Sequence, residues 1–390
     1  MSPLPIETSH QARCTALLLG ILLLGHTAVR AQAGDGAGHA GDSAAAAASE
    51  NGLTINAFLS ASYSHNFNNP SQPQNELRVF DVDNGTFTID GCEVVLAKAA
   101  THLNEAGFRA DVVIGASIPH VSASRGLFSA SPGVATDIDL QQAYATYVAP
   151  VGEGLRIDVG KFVTPHGYEV IEGYDGYNDN ASHSFLFGYA IPFAHTGLRL
   201  SYAVSPRFTV MGMLVNGWDV VRDNNAAKTA CGQVIVSPAD GLSLALSYMA
   251  GAERDNDNAD IRQLADFVGT WKIGDAVALG VNADYGVDPN AIAAGHDAVW
   301  RGAAAYLKVA AGSNLAFTLR GEYFQDRDGF RTGTPQILKE ITLTPEFHPA
   351  QHLILRADLR ADFSSEKVFH NDGTPTDTQP TLLLNGLFVF

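Results

Sequence analysis

Leu382-Leu383-Leu384-Asn385-Gly386-Leu387-Phe388-Val389-Phe390 closes the chain. The stretch reads as a β-strand that ends on an aromatic residue, Phe390, with Phe388 two positions earlier on the same face. A last strand of this form looks like the signal that the insertion machinery of the bacterial outer membrane reads. It selects a bilayer as the solvent. In hydrocarbon no backbone polar group and no sheet edge can stay open, so strands can cross only as a closed barrel.

The other end of the chain agrees. Arg13 precedes an apolar run from Cys14 to Gly25, and Ala31-Gln32-Ala33 forms a small-residue cleavage site, the pattern of a secretory signal peptide over residues 1–33. Cys14 stands before the apolar run, which disfavours a lipoprotein signal. Residues 34–51 are rich in Gly, Ala and Ser, with little to bury, and read as a flexible periplasmic segment. Removing Glu7, Arg13 and Arg30 with the signal leaves 22 basic and 40 acidic residues, a formal charge of −18. That balance argues against a nucleic-acid partner. No later apolar run approaches the ~20 residues of a membrane helix. Cys92 and Cys231 lie far apart in predicted strands, and no disulfide is expected between them.

Residues 353–363 show the strand pattern most clearly. Leu353, Leu355, Ala357, Leu359, Ala361 and Phe363 share one face, and Arg356, Asp358, Arg360 and Asp362 share the other. Phe108, Val112 and Ile114 oppose Arg109 and Asp111 in the same way, and Leu315, Phe317 and Leu319 oppose Arg320 and Glu322. A soluble sandwich would show the same period with its polar face outward; the two termini decide for polar inward and apolar toward lipid. Residues 52–390 then give an all-β, antiparallel up-and-down transmembrane barrel of about sixteen strands. Short turns (151–154, 206, 238–241, 312–314, 349–350) should alternate with longer external loops. A barrel of that size encloses water. A strand over 185–193 would change the count by two.

The longest connection, 165–194, is the third external loop and is expected to fold into the lumen. It carries Glu169, Glu172, Asp175 and Asp179 with Tyr168, Tyr174 and His183, so carboxylates would stand at a constriction and favour cations. The plainer reading is a solvated external face. Arg109, Arg156, Arg320, Arg356 and Arg360 on the lumen wall would either face those acids across the gap or pair with Asp111, Asp158, Glu322, Asp358 and Asp362. A field across the constriction predicts that neutralising Glu169, Glu172 and Asp175 together shifts the reversal potential. His166, His183 and His195 bracket the loop without the spacing of a metal site, and hydrogen bonding is the expectation for them. Acidic stretches at 253–257 and 326–328 suit divalent bridges to lipopolysaccharide. Tyr147, Tyr202, Trp218, Tyr248, Trp271, Tyr285, Trp300 and Tyr323 fall near strand ends, as interfacial girdles require, or else line the lumen.

Three further stretches, Gly160-Lys161-Phe162-Val163-Thr164-Pro165-His166-Gly167-Tyr168-Glu169, Pro192-Phe193-Ala194-His195-Thr196-Gly197 and Val215-Asn216-Gly217-Trp218-Asp219, resemble the OmpL-like β-barrel porin family. Phe80-Asp81, Gly107-Phe108-Arg109, Asp223-Asn224-Asn225 and Lys228-Thr229 extend the resemblance over most of 55–390. It implies an outer-membrane barrel and a porin-type role, and says little about what passes. The pattern expects an arginine after the loop serine; here Ser182-His183-Ser184 puts a titratable group in place of a permanent charge.

The leading expectation is therefore passive diffusion of small hydrophilic solutes or ions, with no cofactor and no bound metal, in the outer membrane among lipid and lipopolysaccharide. General porins are trimers, which makes a homotrimer the oligomer to consider. A non-conducting barrel that anchors acidic surface loops for binding or adhesion is the alternative. An outer-membrane enzyme ranks last, because the sequence offers no nucleophile elbow and no His-Glu-x-x-His.

Overall fold

The computed structural model describes residues 52–117 and 137–390. The expected signal peptide and the 34–51 segment lie outside the described residues. Within them, β1 (Leu53–Asn66), β2 (Phe87–Lys98), β3 (Ala106–Ile114), β4 (Ile138–Ala149) and β5 (Leu155–Val163) lead to the long loop. After it come β6 (Ala194–Ser205), β7 (Phe208–Val215), β8 (Thr229–Ala239), β9 (Leu242–Ala252), β10 (Ile261–Ile273) and β11 (Val277–Ala293). The chain continues with β12 (His296–Ala310), β13 (Leu315–Asp326), β14 (Gln336–Ala350) and β15 (Leu353–Ser364). A small ribbon of β16 (Phe369–Asn371) and β17 (Thr374–Thr376) precedes the last strand, β18 (Thr378–Val389). Each strand pairs with its neighbour, and β18 pairs with β1, so that sixteen strands close a barrel; the ribbon stands apart from it. The seam runs from Phe58 opposite Val389 to Asn66 opposite Thr381. Beyond it, Ala57 N–H donates to Phe390 O at 2.7 Å and Phe390 N–H donates back to Ala57 O at 2.8 Å.

Side-chain parity follows the expected sense. Along β15, Arg356, Asp358, Arg360 and Asp362 are buried in the interior while Leu355, Leu359 and Phe363 are exposed toward lipid. Cys92 is exposed on β2 and Cys231 buried on β8, both as free thiols. Tyr147, Tyr248, Trp271, Tyr285 and Tyr323 face outward as girdle residues, whereas Trp218 and Trp300 are buried. Those two tryptophans meet edge to face at 6.2 Å, and Trp300 Nε1–H donates to Ala190 O.

Several boundaries differ from the sequence expectation for physical reasons. Pro238 and Pro349 lie inside β8 and β14, and not in the turns, because the register slips beside each: between Val236 and Ala239, and between Phe347 and Ala350. A residue without an N–H is tolerated where the ladder is already interrupted. The turn after β14 is Gln351-His352, with His352 at φ 69°. β11 and β12 extend past the expected loop into a tight hairpin, with Ala293 paired to His296. Residues 185–193 form no strand; Leu186–Ala190 is a single π-helical turn inside the barrel.

Candidate functional site

The third loop (164–193) crosses the lumen. Its ends and middle are fixed by strands that lie on opposite sides of the barrel. Pro165 ends pairing after β5, and Gly167 turns the chain inward at φ 89°. Gly167 N–H donates to Asp266 on β10 (3.1 Å) and Tyr168 N–H donates to Asn282 on β11 (3.2 Å). Tyr168 then stacks on Tyr306 of β12, ring centroids 4.1 Å apart. On the far side, Tyr174 N–H donates to Glu93 of β2 at 2.7 Å.

Each of the four loop carboxylates rests against a wall cation. Glu169, 4% exposed, accepts from Arg320 Nη1 and from Tyr306 Oη, each at 2.9 Å. Glu172 takes the two terminal nitrogens of Arg356 at 2.7 and 2.9 Å, a fork-to-fork pair. Asp175 pairs with Arg109, and Asp179 with Lys308 Nζ at 2.8 Å. Burial of such pairs costs desolvation and is tolerable only when the remaining donors and acceptors are met. Here they are met from both sides: Arg320 also reaches Glu340 (2.8 Å), and Arg356 reaches Asn385.

The wall acids take the loop backbone instead of only the neighbouring arginines. Glu322 accepts from Phe185 N–H and Leu186 N–H at 2.9 and 2.7 Å. Asp358 accepts from the N–H and the hydroxyl of Ser182, each at 2.7 Å. Local pairs remain between Arg109 and Asp111, Arg156 and Asp158, and Arg360 and Asp362. His183 stacks on Phe80 at 4.0 Å, and its Nε2 lies 3.1 Å from Asn178 Nδ2. His195 lies 3.1 Å from Thr164 Oγ1 and His166 lies beside Cys231 and Asp266, and these two rings meet edge to face with centroids 6.4 Å apart. Among the described residues no group of three metal-ligating side chains forms. Where the loop leaves the lumen, Asp219 accepts from Phe193 N–H (2.6 Å) and Ala194 N–H (3.0 Å). Burial outweighs those donors and the nearby Arg331 and Arg262, and pushes its carboxyl up to about 6.

Beside the docked loop, space remains along β1, β2 and β18. A cavity of about 260 Å³ is lined by Asp83, Asp90, Asp137, Ser64, Gln74 and Thr88 among others. It shares Ser62, Phe80, Asp81, Asp90 and Leu383 with a smaller one that reaches Ile171 and Glu172 of the loop. Among the described residues neither is lined by Lys or Arg. Asp90 is held by three neutral donors: Ser60 Oγ (2.9 Å), Ser62 Oγ (2.7 Å) and Asn385 Nδ2 (3.3 Å).

Sequence reading passed over Asp90, Lys308 and Glu340. Lys308 was available from parity, two positions beyond the inward Tyr306. Asp90 was not, because a slip between Ser60 and Ala61, opposite Gly91 and Ile89, changes the phase of β2 there.

The model of the family described as Putative beta-barrel porin-2, OmpL-like, matches residues 52–390. No curated protein sequence matches the chain. Among solved structures it is similar to the outer membrane channel DcaP of Acinetobacter baumannii, at TM-score 0.58 and 11% identity over 89% of this chain and 100% of that one. An anion-selective porin from Comamonas acidovorans gives TM-score 0.56 at 11% identity, over 87% of this chain and 99% of that one. The trimer form of OmpT from Vibrio cholerae gives 0.55 at 11%, again over 87% and 99%. At such identities these likenesses speak for the fold alone.

Proposed function

The chain belongs to the OmpL-like β-barrel porin-2 family, and from that premise we propose that it passes small hydrophilic solutes and ions by passive diffusion, with a preference for cations. Membership of that family supports an outer-membrane porin channel. The observation that carries the preference is Asp90, a carboxylate held by neutral donors and facing a cavity that no described Lys or Arg lines. Among the described residues no Lys or Arg pairs with it directly; Arg356 stands beyond the shared Asn385 and is paired with Glu172. In a confined, partly apolar space the field of a carboxylate reaches farther than in bulk water. The expected source of the preference was the third loop. Its four acids instead have their charge offset by Arg320, Arg356, Arg109 and Lys308, so we assign the bias to Asp83, Asp90 and Asp137.

The test is the reversal potential of the mature protein in a KCl gradient. Asp83→Asn, Asp90→Asn and Asp137→Asn combined should lower the cation-to-anion permeability ratio at least about twofold. An unchanged ratio would remove the assignment.

One observation favours the second reading, a non-conducting anchor for surface loops: the third loop is tied to strands on both sides of the lumen. Absence of any conductance by the folded barrel would establish it. Residues 1–33 are proposed to be removed before insertion, leaving 34–51 as a periplasmic segment; N-terminal sequencing of the membrane form decides. A homotrimer is proposed because OmpT has a trimer form, and the mass of the detergent complex tests it.

A further inference from the structure

Resting on the cation-preferring porin reading, we propose that the passage selects small organic cations with an apolar body, alkylammonium-like solutes, over hydrated inorganic cations. The two cavities beside the third loop adjoin, since both are lined by Ser62, Phe80, Asp81, Asp90 and Leu383, but their linings differ. Toward the end of the barrel that carries the long loops, the lining adds Asp83, Asp137, Gln74 and Thr88 and is acidic and polar. At the height of the third loop it adds Phe58, Val113 and Ile171, which with Phe80 and Leu383 make an apolar neck. Asp90 stands where the two meet.

A potassium ion attracted by the acidic vestibule meets in that neck polar groups that are already engaged: Asp81 by Arg78, Glu172 by Arg356, His183 by Asn178, and Ser60, Ser62 and Asn385 among themselves and with Asp90. Little is left to replace its water, and a desolvated charge in a mostly apolar space is costly. An alkylammonium ion can leave its charged head at Asp90, beside the hydroxyls of Ser60 and Ser62, and place its methylenes against Phe58, Phe80 and Val113. Each methylene withdrawn from water is worth up to about fourfold in affinity. The arrangement therefore favours a cation in proportion to its apolar length. Glu172 and Asp81, which also line the neck, are already paired with Arg356 and Arg78 and leave Asp90 as the anchoring charge.

The test uses the mature protein in planar bilayers carrying potassium current, with methyl-, ethyl-, propyl- and butylammonium added in turn. The half-blocking concentration should fall with every added methylene, by up to about fourfold per step. Val113→Thr and Ile171→Thr should flatten the series; a slope that neither changes would overturn the apolar contact. Asp90→Asn should weaken block by every member. A flat series in the unsubstituted protein, with cation preference intact, overturns this inference and spares the reading beneath it. Anion preference, or no current at all, overturns the reading itself.

Discussion

Arg320 shows what a single residue carries in this lumen. Fully buried, it joins Glu340 of the neighbouring strand to Glu169 of the crossing loop, and it also donates to Ser182 O at 2.6 Å. Arg320→Met would leave the buried Glu169 without its cation and Glu340 with only the more distant Arg360 at 3.9 Å, and breaking a buried pair costs ~3–5 kcal/mol in comparable sites. Denaturant unfolding of the barrel should show a loss of that order, and a smaller one for Arg320→Lys, which keeps the charge but not the fork. Asp219 gives the pH dependence. A carboxyl whose folded pKa, about 6, stands above its ordinary 3.8 binds its proton more tightly when folded. Its stabilising contribution is complete below the ordinary value and is lost as pH rises through about 6. Asp219→Asn keeps an oxygen for Phe193 N–H and Ala194 N–H and does not titrate. The melting temperature of the original protein should therefore fall relative to that variant between pH 4 and pH 7; a rise would contradict the assignment.

At the scale of the element, the third loop is the part on which function turns. Its inward path depends on Gly167, where a Cβ would stand 2.6 Å from Ile191 Cδ1 on a backbone at φ 89°. Gly167→Ala should cost ~1–2 kcal/mol in backbone strain and raise the rate at which a protease nicks the loop in the folded barrel. Neutralising Glu169, Glu172 and Asp175 together would remove the loop partners of Arg320, Arg356 and Arg109, of which Arg320 keeps Glu340 and Arg109 keeps Asp111. The reversal potential should then move toward anions, as a consequence of exposed arginines and not of a lost acidic ring. The loop's length, its acids and its glycines were all legible in the sequence, as was the arginine-bearing face of β15. Its partners were not. Which acid meets which arginine depends on the loop's path and on the relative height of strands far apart in the chain, and no local period encodes either. Asp90 was hidden for a related reason: the slip beside Ser60 breaks the alternation that parity reading assumes. Trp300 could have been placed, since it shares parity with Tyr306, but its position near a strand end also suits a girdle.

For the whole molecule, alternation read together with the two termini gave the architecture, because a barrel repeats one simple rule along every strand and closes by joining its first strand to its last. Phe390 sits at that closure, exposed toward the lipid side, with its backbone bonded to Ala57. Removing it should slow insertion into lipid vesicles more than it lowers the stability of the inserted barrel, which folding kinetics and unfolding midpoints separate. Acidic composition shapes the interior unevenly: the loop that crosses the lumen has its acids matched by wall cations, and the space beside it is lined by Asp83, Asp90 and Asp137 and by no described Lys or Arg. The proposed path for ions is the space along β1, β2 and β18 that Asp83, Asp90 and Asp137 line. Single-channel recording of the mature protein in a KCl gradient tests it most directly. Stable open steps whose reversal potential has the sign of a cation preference, reduced when Asp83, Asp90 and Asp137 are replaced by Asn, are the predicted result; a folded barrel that never conducts, or one that prefers chloride, would contradict it.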